Sequence, residues 1–267
     1  MSYQFANING VMLHYDLQGD NEPLLLIHAA IANLNMWDEQ ESAFGQYFRV
    51  IRHDVRGFGE TPDPAGNYTD HDDIKALFDH VGFEKAHVLG ISNGGRIAID
   101  FALTYPQAVE KLVLIAPGLG GFRGEDDPVT AQKEAQAEEA KKMGDLDLAS
   151  ELTTQIWIDG PTRSPHEVNP IFRKRAKDLI THTIALGIGE GIGDIARPPA
   201  IERLSEIQSP TLLITGDKDV PLMFEIGDVI ERKIPNIKRI TMKGVSHLPP
   251  MENPEQFNQL VLDFLRE

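Results

Sequence analysis

Six short strand-like runs, most of them apolar, recur along the chain: Leu24 to His28, Arg49 to Asp54, Ala86 to Gly90, Lys111 to Ala116, Thr211 to Gly216 and Lys238 to Met242. Helix-like stretches separate most of them. Short runs that are apolar at successive positions read as strands buried on both faces, and intervening helices supply the crossovers that parallel strands need. The pattern therefore predicts an α/β fold on a mostly parallel sheet. Ahead of it, Tyr3 to Ile8 and Val11 to Gln18 alternate around Asn9-Gly10, the dipeptide that most favours a two-residue hairpin turn. These two add an antiparallel edge and make eight strands.

Between Ala116 and Thr211 the strand rhythm stops for roughly ninety residues, too long for a structureless loop in a compact domain. Three helical patterns fill the gap: Pro128 to Met143, Leu146 to Ile158, and Phe172 to Leu186 after Pro170. We therefore expect a core of residues 1–117 and 201–267, with residues 118–200 as a helical insertion, and Gly118 to Asp127 as its hinge or edge. A chain of 267 residues with 41% hydrophobic content can bury one such core, but has no room for two unrelated domains. Gly187-Ile188-Gly189-Glu190-Gly191-Ile192-Gly193 superficially looks like a nucleotide loop, but it follows a helix pattern instead of a strand and reads as a flexible connection. A further helix opens at Thr69 with Asp72 three residues on. Asp70-His71-Asp72-Asp73 is accordingly a helix start, where carboxylates face the positive end of the dipole, and not a metal cluster.

Gly90-Ile91-Ser92-Asn93-Gly94 joins the strand-like run Ala86 to Gly90 to the helix-like run Gly94 to Tyr105. With 23 glycines and 8 serines in the chain, chance yields about 0.06 G-x-S-x-G pentapeptides before any context is required. A sharp strand-to-helix turn strains its central residue and lifts the hydroxyl above the sheet, which makes Ser92 a candidate nucleophile. A serine hydroxyl needs a base, and the base needs an orienting acid. His247, in Gly244-Val245-Ser246-His247, follows the last strand and precedes a final helix that opens near Pro254. The run Thr211 to Gly216 leads into Gly216-Asp217-Lys218-Asp219, which offers two carboxylates. The order along the chain is Ser, Asp, His.

These segments together resemble the α/β-hydrolase family over nearly the whole chain. Leu24-Leu25-Leu26-Ile27-His28-Ala29-Ala30 resembles the strand ending in the oxyanion loop, and His53-Asp54-Val55-Arg56-Gly57-Phe58-Gly59 resembles the D-x-R-G-x-G segment. The resemblance implies an eight-stranded, mostly parallel sheet with helices on both faces, and a helical cap after the sixth strand that covers the site. It assigns the acid to Asp219, the last residue of a G-x-x-D pattern, with Asp217 as runner-up. It also assigns the oxyanion hole to the backbone N–H groups of Asn93 and Ala30. Ala29 stands where the family has glycine; if that position needs a positive φ, alanine there is strained by about 1 kcal/mol. Aspartate at position 92 would have suggested dehalogenase or epoxide hydrolase chemistry, whereas serine argues for acyl transfer.

A formal net charge of −16 repels phosphate backbones and gives nucleic-acid binding little electrostatic basis. No run approaches the 18 or so apolar residues of a membrane span, no basic-then-apolar leader opens the chain, and there is no cysteine; these point to a cytoplasmic protein without disulfides. No cofactor or metal is implied. Arg173-Lys174-Arg175 with Lys177 reads either as a solvated helix face or as recognition of a substrate carboxylate. Met36, Trp37, Phe122, Trp157 and Phe172 could line a pocket or pack the core. The oligomeric state is not legible. The expected activity is hydrolysis of a carboxylic ester or lactone of a small to medium, mainly apolar small-molecule substrate through an acyl-enzyme. Alternatives on the same triad are carbon–carbon bond hydrolysis, enol-lactonase and perhydrolase chemistry, and, outside enzymes, a ligand receptor.

Overall fold

A computed structural model of the chain describes residues 3–63, 67–187 and 197–267. Among these, eight strands form a single sheet: β1 Gln4–Ile8, β2 Val11–Gln18, β3 Glu22–Ile27, β4 Phe48–His53, β5 Ala86–Ile91, β6 Val109–Ile115, β7 Thr211–Gly216 and β8 Ile237–Met242. Their order is β1-β2-β4-β3-β5-β6-β7-β8. The β1–β2 and β2–β4 pairings are antiparallel, and all pairings from β4 onward are parallel. Asn9 and Gly10 turn the hairpin with φ of 47° and 83°, the two positive angles a type I′ turn demands.

Along a strand successive side chains face opposite ways, and in the inner strands β3 to β7 both faces are buried. Leu25, Ile27, Val88, Leu112, Leu114 and Leu213 enter one apolar layer with Phe78 of α2 (Asp70–Val81) and Phe101 of α3 (Asn93–Thr104). Leu24, Leu26, Leu89, Ile91, Val113 and Ile214 enter the other, with Phe44 of α1 (Asp38–Phe44) and Phe257 and Val261 of the last helix, Pro254–Arg266. This is why the inner runs read as apolar: each of those strands serves two cores, whereas β8, expected as a buried strand, is an edge strand that leaves Lys238 and Thr241 exposed.

Between β6 and β7 the chain forms α4 (Pro128–Lys142), α5 (Leu146–Thr154) and α6 (Pro170–Ala185), then a short α7 (Ala200–Arg203) where the chain is expected to re-enter the core; α8 (Pro221–Lys233) follows β7 and a short α9 (Pro249–Glu252) precedes the final α10. The glycine-rich stretch from Ile188 to Gly193 lies outside the described residues. Thr69 caps α2 by accepting from the Asp72 N–H, as its sequence implies. The helix expected to run on to Ile158 instead stops at Thr154 and continues as one π-helical turn, Gln155–Asp159. Ser150, Thr153 and Thr154 each donate a hydroxyl to the carbonyl four residues back, a competition that loosens the backbone ladder.

Candidate active site

Ile91, Ile115, Ile214 and Ile240 form one ladder row across β5, β6, β7 and β8. Because these strands are parallel, the segments that follow them all emerge at the same carboxyl edge, where open α/β sheets bind ligands. Ser92 is the residue after β5, Asp219 the third after β7 and His247 the fifth after β8. A separation of more than a hundred residues in sequence thus becomes a span of four neighbouring strands, β5 to β8.

Ser92 has φ 55° and ψ −119°, a conformation that L-residues avoid. It is held by backbone bonds on both sides: its N–H donates to Ile115 O, and its carbonyl accepts from Arg96 and Gly118. The glycines of the pentapeptide allow the close approach. A Cβ on Gly90 would lie 2.2 Å from Gly94 O, and one on Gly94 would lie 2.4 Å from Ile27 O and 2.5 Å from His28 O. Gly94→Ala is therefore expected to push α3 off β3 and to destabilise the fold by about 3 kcal/mol, an overpacking cost set by rigid backbone. Thermal unfolding of the variant checks this.

His247 and Asp219 are 1% and 2% exposed. His247 Nδ1 lies 2.9 Å from Asp219 Oδ2 and 3.2 Å from Oδ1. Against an ionised carboxylate, which only accepts, Nδ1 is the donor of this contact and Nε2 is left as an acceptor. Among the described residues the Ser92 hydroxyl has no hydrogen-bond partner; nucleophile and base commonly close up only around substrate. Asp217 is elsewhere, accepting from Gly244 N–H at 2.7 Å.

Ala30 follows β3 at the same edge. No hydrogen bond among the described residues uses its backbone N–H or that of Asn93, and both residues are partly exposed. The non-glycine residues with positive φ are Asn9, Ser92 and Ala116 among those described, so Ala29 sits in its loop without left-handed strain. Its N–H reaches Met36 Sδ at 3.4 Å. The preceding His28 is the loop's anchor. Its Nε2 accepts from Val55 N–H and its Nδ1 donates to Ala29 O, and burial pushes its pKa down, which keeps the ring neutral and able to do both. Asp54 accepts from the N–H groups of Leu34 and Glu60. Burial works against its charge, but His14 and these donors hold its carboxyl below the usual range. Next to Ser92, Arg96 Nε donates to Asn93 Oδ1, and its guanidinium pairs with Asp70 and Asp100.

Of the five expected pocket residues, Trp157 meets the site directly: its indole centroid is 4.4 Å from that of His247. Phe122 is partly buried against the layer that holds α3. Met36, Trp37 and Phe172 are buried in the opposite layer, where Met36 meets the Ala29 N–H. The basic run on α6 is paired throughout: Arg173 with Glu151 and Asp159, Lys174 with Asp178, Arg175 with Asp38 and Glu39, and Lys177 with Asp147 and Glu151. Sequence reasoning missed the contacts that bind the His247 loop to the insertion. They join residues 89 positions apart, and no motif announces them. Among the described residues no cluster of His, Asp and Glu could hold a metal ion, and no helix is long and apolar enough to cross a membrane.

The sequence model of the alpha/beta hydrolase fold family matches residues 22–254. A 2-hydroxy-6-oxononadienedioate/2-hydroxy-6-oxononatrienedioate hydrolase of Pseudomonas putida is 29% identical, covering 99% of this chain and 96% of that protein. The 3-oxoadipate enol-lactonase 1 of Acinetobacter baylyi is 26% identical, covering 99% and 97%. Among solved structures, a thermophilic esterase from Thermogutta terrifontis superposes with a TM-score of 0.79 at 25% identity, covering 100% of this chain and 98% of that one.

Proposed function

The chain belongs to the α/β-hydrolase fold family, and from that premise we propose that it is a serine hydrolase of carboxylic esters or lactones, with residues 118–200 as the cap over its site. The observation that carries the reading is the 2.9 Å contact between His247 Nδ1 and Asp219 at the strand edge where Ser92 is held at φ 55°. Ser92 Oγ attacks the substrate carbonyl while His247 Nε2 takes its proton. The N–H groups of Ala30 and Asn93 receive the developing oxyanion. Collapse of the tetrahedral adduct expels the alcohol, protonated by His247, and leaves the acyl group on Ser92. Water, deprotonated by the same imidazole, then releases the acid. A lactone differs only in that the leaving alcohol stays attached to the acyl chain.

The P. putida and A. baylyi relatives act on a dienedioate and an oxoadipate enol-lactone by name, both anionic substrates. Recognition of such a carboxylate needs an uncommitted cation at the site. Every cation of the basic run on α6 is already paired with carboxylates, while Trp157 sets an aromatic wall against the imidazole. These features favour a neutral acyl group over a dicarboxylate.

The test is release of p-nitrophenol from acetate, butyrate, octanoate and decanoate esters, beside bleaching of a coloured dienol diacid. Serine-dependent ester turnover with little bleaching is the expected result. Rapid bleaching with weak esterase activity would instead assign carbon–carbon chemistry, and labelling of Ser92 without turnover on either set would point to a receptor.

A further inference from the structure

We infer that Arg163 is a positioning residue for the general base: it clamps the loop that carries His247 to the π-helical turn of the insertion. The inference rests on the role proposed for His247. The guanidinium uses all five of its N–H donors. Nε donates to Asp159 O at 2.8 Å, Nη1 to Gly244 O at 2.9 Å and to Glu252 Oε1 at 2.6 Å, and Nη2 to Ile158 O at 2.7 Å and to Glu252 Oε2 at 3.4 Å. These partners lie on three segments: the end of the π turn, the loop after β8, and α9. Both side chains of the Arg163–Glu252 pair are more than nine-tenths buried.

Each contact bears on His247. Ile158 and Asp159 close a helical turn that Gly160, at φ 75°, cannot continue, so their carbonyls need outside donors, and Arg163 supplies them. The turn so capped aims the Trp157 carbonyl at the loop, where it accepts from the His247 N–H at 3.3 Å and from the Ser246 hydroxyl at 3.1 Å. From the other side Glu252 Oε2 accepts from the Ser246 N–H at 2.7 Å. The backbone of Ser246 and His247 is thus gripped between two acceptors, each oriented by the same guanidinium. Lysine, with three donors and no planar fork, could not meet the five acceptors.

The consequence is that this part of the insertion moves with the base and not as a free lid. Loss of the clamp shifts the imidazole relative to Ser92, and displacement by an ångström typically costs about 10²-fold in rate. In the full chain, Arg163→Ala is expected to lower kcat on p-nitrophenyl butyrate about 100-fold with KM changed less than about threefold, and added ethylguanidinium should recover part of that loss by refilling the fork. Glu252→Gln keeps an oxygen for the Ser246 N–H but loses the ion pair, and an intermediate fall of about 10-fold in kcat is expected. Should Arg163→Ala not fold, Arg163→Lys and Glu252→Gln carry the same test. Amide hydrogen exchange supplies a readout independent of turnover: residues 244–248 and 155–160 should exchange faster in these variants while residues 88–95 keep their protection. Unchanged exchange in the loop, or a lowered melting temperature with wild-type kcat, would overturn the inference. Faster loop exchange in a protein whose wild type hydrolyses none of the esters would leave the clamp standing and remove the proposed activity.

Discussion

Ser92→Ala is expected to lower kcat on p-nitrophenyl esters by about 10⁶-fold, the scale seen when the nucleophile of a serine triad is removed. Covalent labelling by a phosphonate probe should disappear with it. The two losses have one cause, because both reactions begin with transfer of the hydroxyl proton to His247 as the oxygen attacks. The fold should be nearly untouched. The hydroxyl has no hydrogen-bond partner among the described residues, and alanine keeps the Cβ that already occupies the strained φ of 55°. Melting temperatures of the two proteins should therefore agree within a few degrees, about what a change below 0.5 kcal/mol produces. Labelling of the variant at the wild-type rate would remove Ser92 from the chemistry and send the search to another hydroxyl at the carboxyl edge.

Much of the scaffold that carries Ser92 is written locally. The inner strands are legible because each has apolar side chains on both faces, the hairpin strands because they alternate, and Asn9-Gly10 and Thr69 announce their turn and cap through their own side-chain chemistry. Strand ends are less legible: β3 begins at the exposed Glu22, and β6 begins at the buried Val109 but then admits the partly exposed Glu110 and Lys111, which interrupt the apolar pattern. The elbow is visible because close backbone approach admits glycine alone at Gly90 and Gly94, a demand that leaves a pattern in the sequence. Asp219 and His247, proposed as acid and base, stand out through their place after strands, which parallel pairing converts into proximity.

What the sequence does not disclose are interactions whose partners meet through the tertiary fold. Arg163 and Glu252 each look like ordinary surface charges in their own segments, and their pairing depends on where the insertion docks. The π turn is hidden too, since Leu146 to Ile158 has continuous helical spacing and the shift arises from hydroxyls bonding back to carbonyls. Trp157 belongs to both accounts. Its residue type leaves core and pocket both open, and the π turn brings it to 4.4 Å from the imidazole.

The choice between two carboxylates two residues apart gives the second large effect. Asp219→Asn is expected to reduce kcat by about 10⁴-fold, with KM little changed. An amide at that position can donate to Nδ1, which favours the tautomer with its proton on Nε2. That nitrogen then faces Ser92 as a donor and cannot accept the hydroxyl proton. The loss is thus one of tautomer and charge together, since the imidazolium formed in the transition state also loses its counter-ion. Asp217→Asn should behave otherwise. Asp217 Oδ1 accepts from the Gly244 N–H at 2.7 Å, and its side chain is 23% exposed with Lys243 at 3.8 Å. The asparagine oxygen retains the first contact, and the second is a solvent-exposed pair of small worth. Activity within about threefold of wild type is expected there. Parallel kinetics on the two variants decide the matter: a collapse at position 217 with activity retained at 219 would reassign the acid, and comparable losses at both would mean that the turn after β7 acts as a unit to hold the histidine.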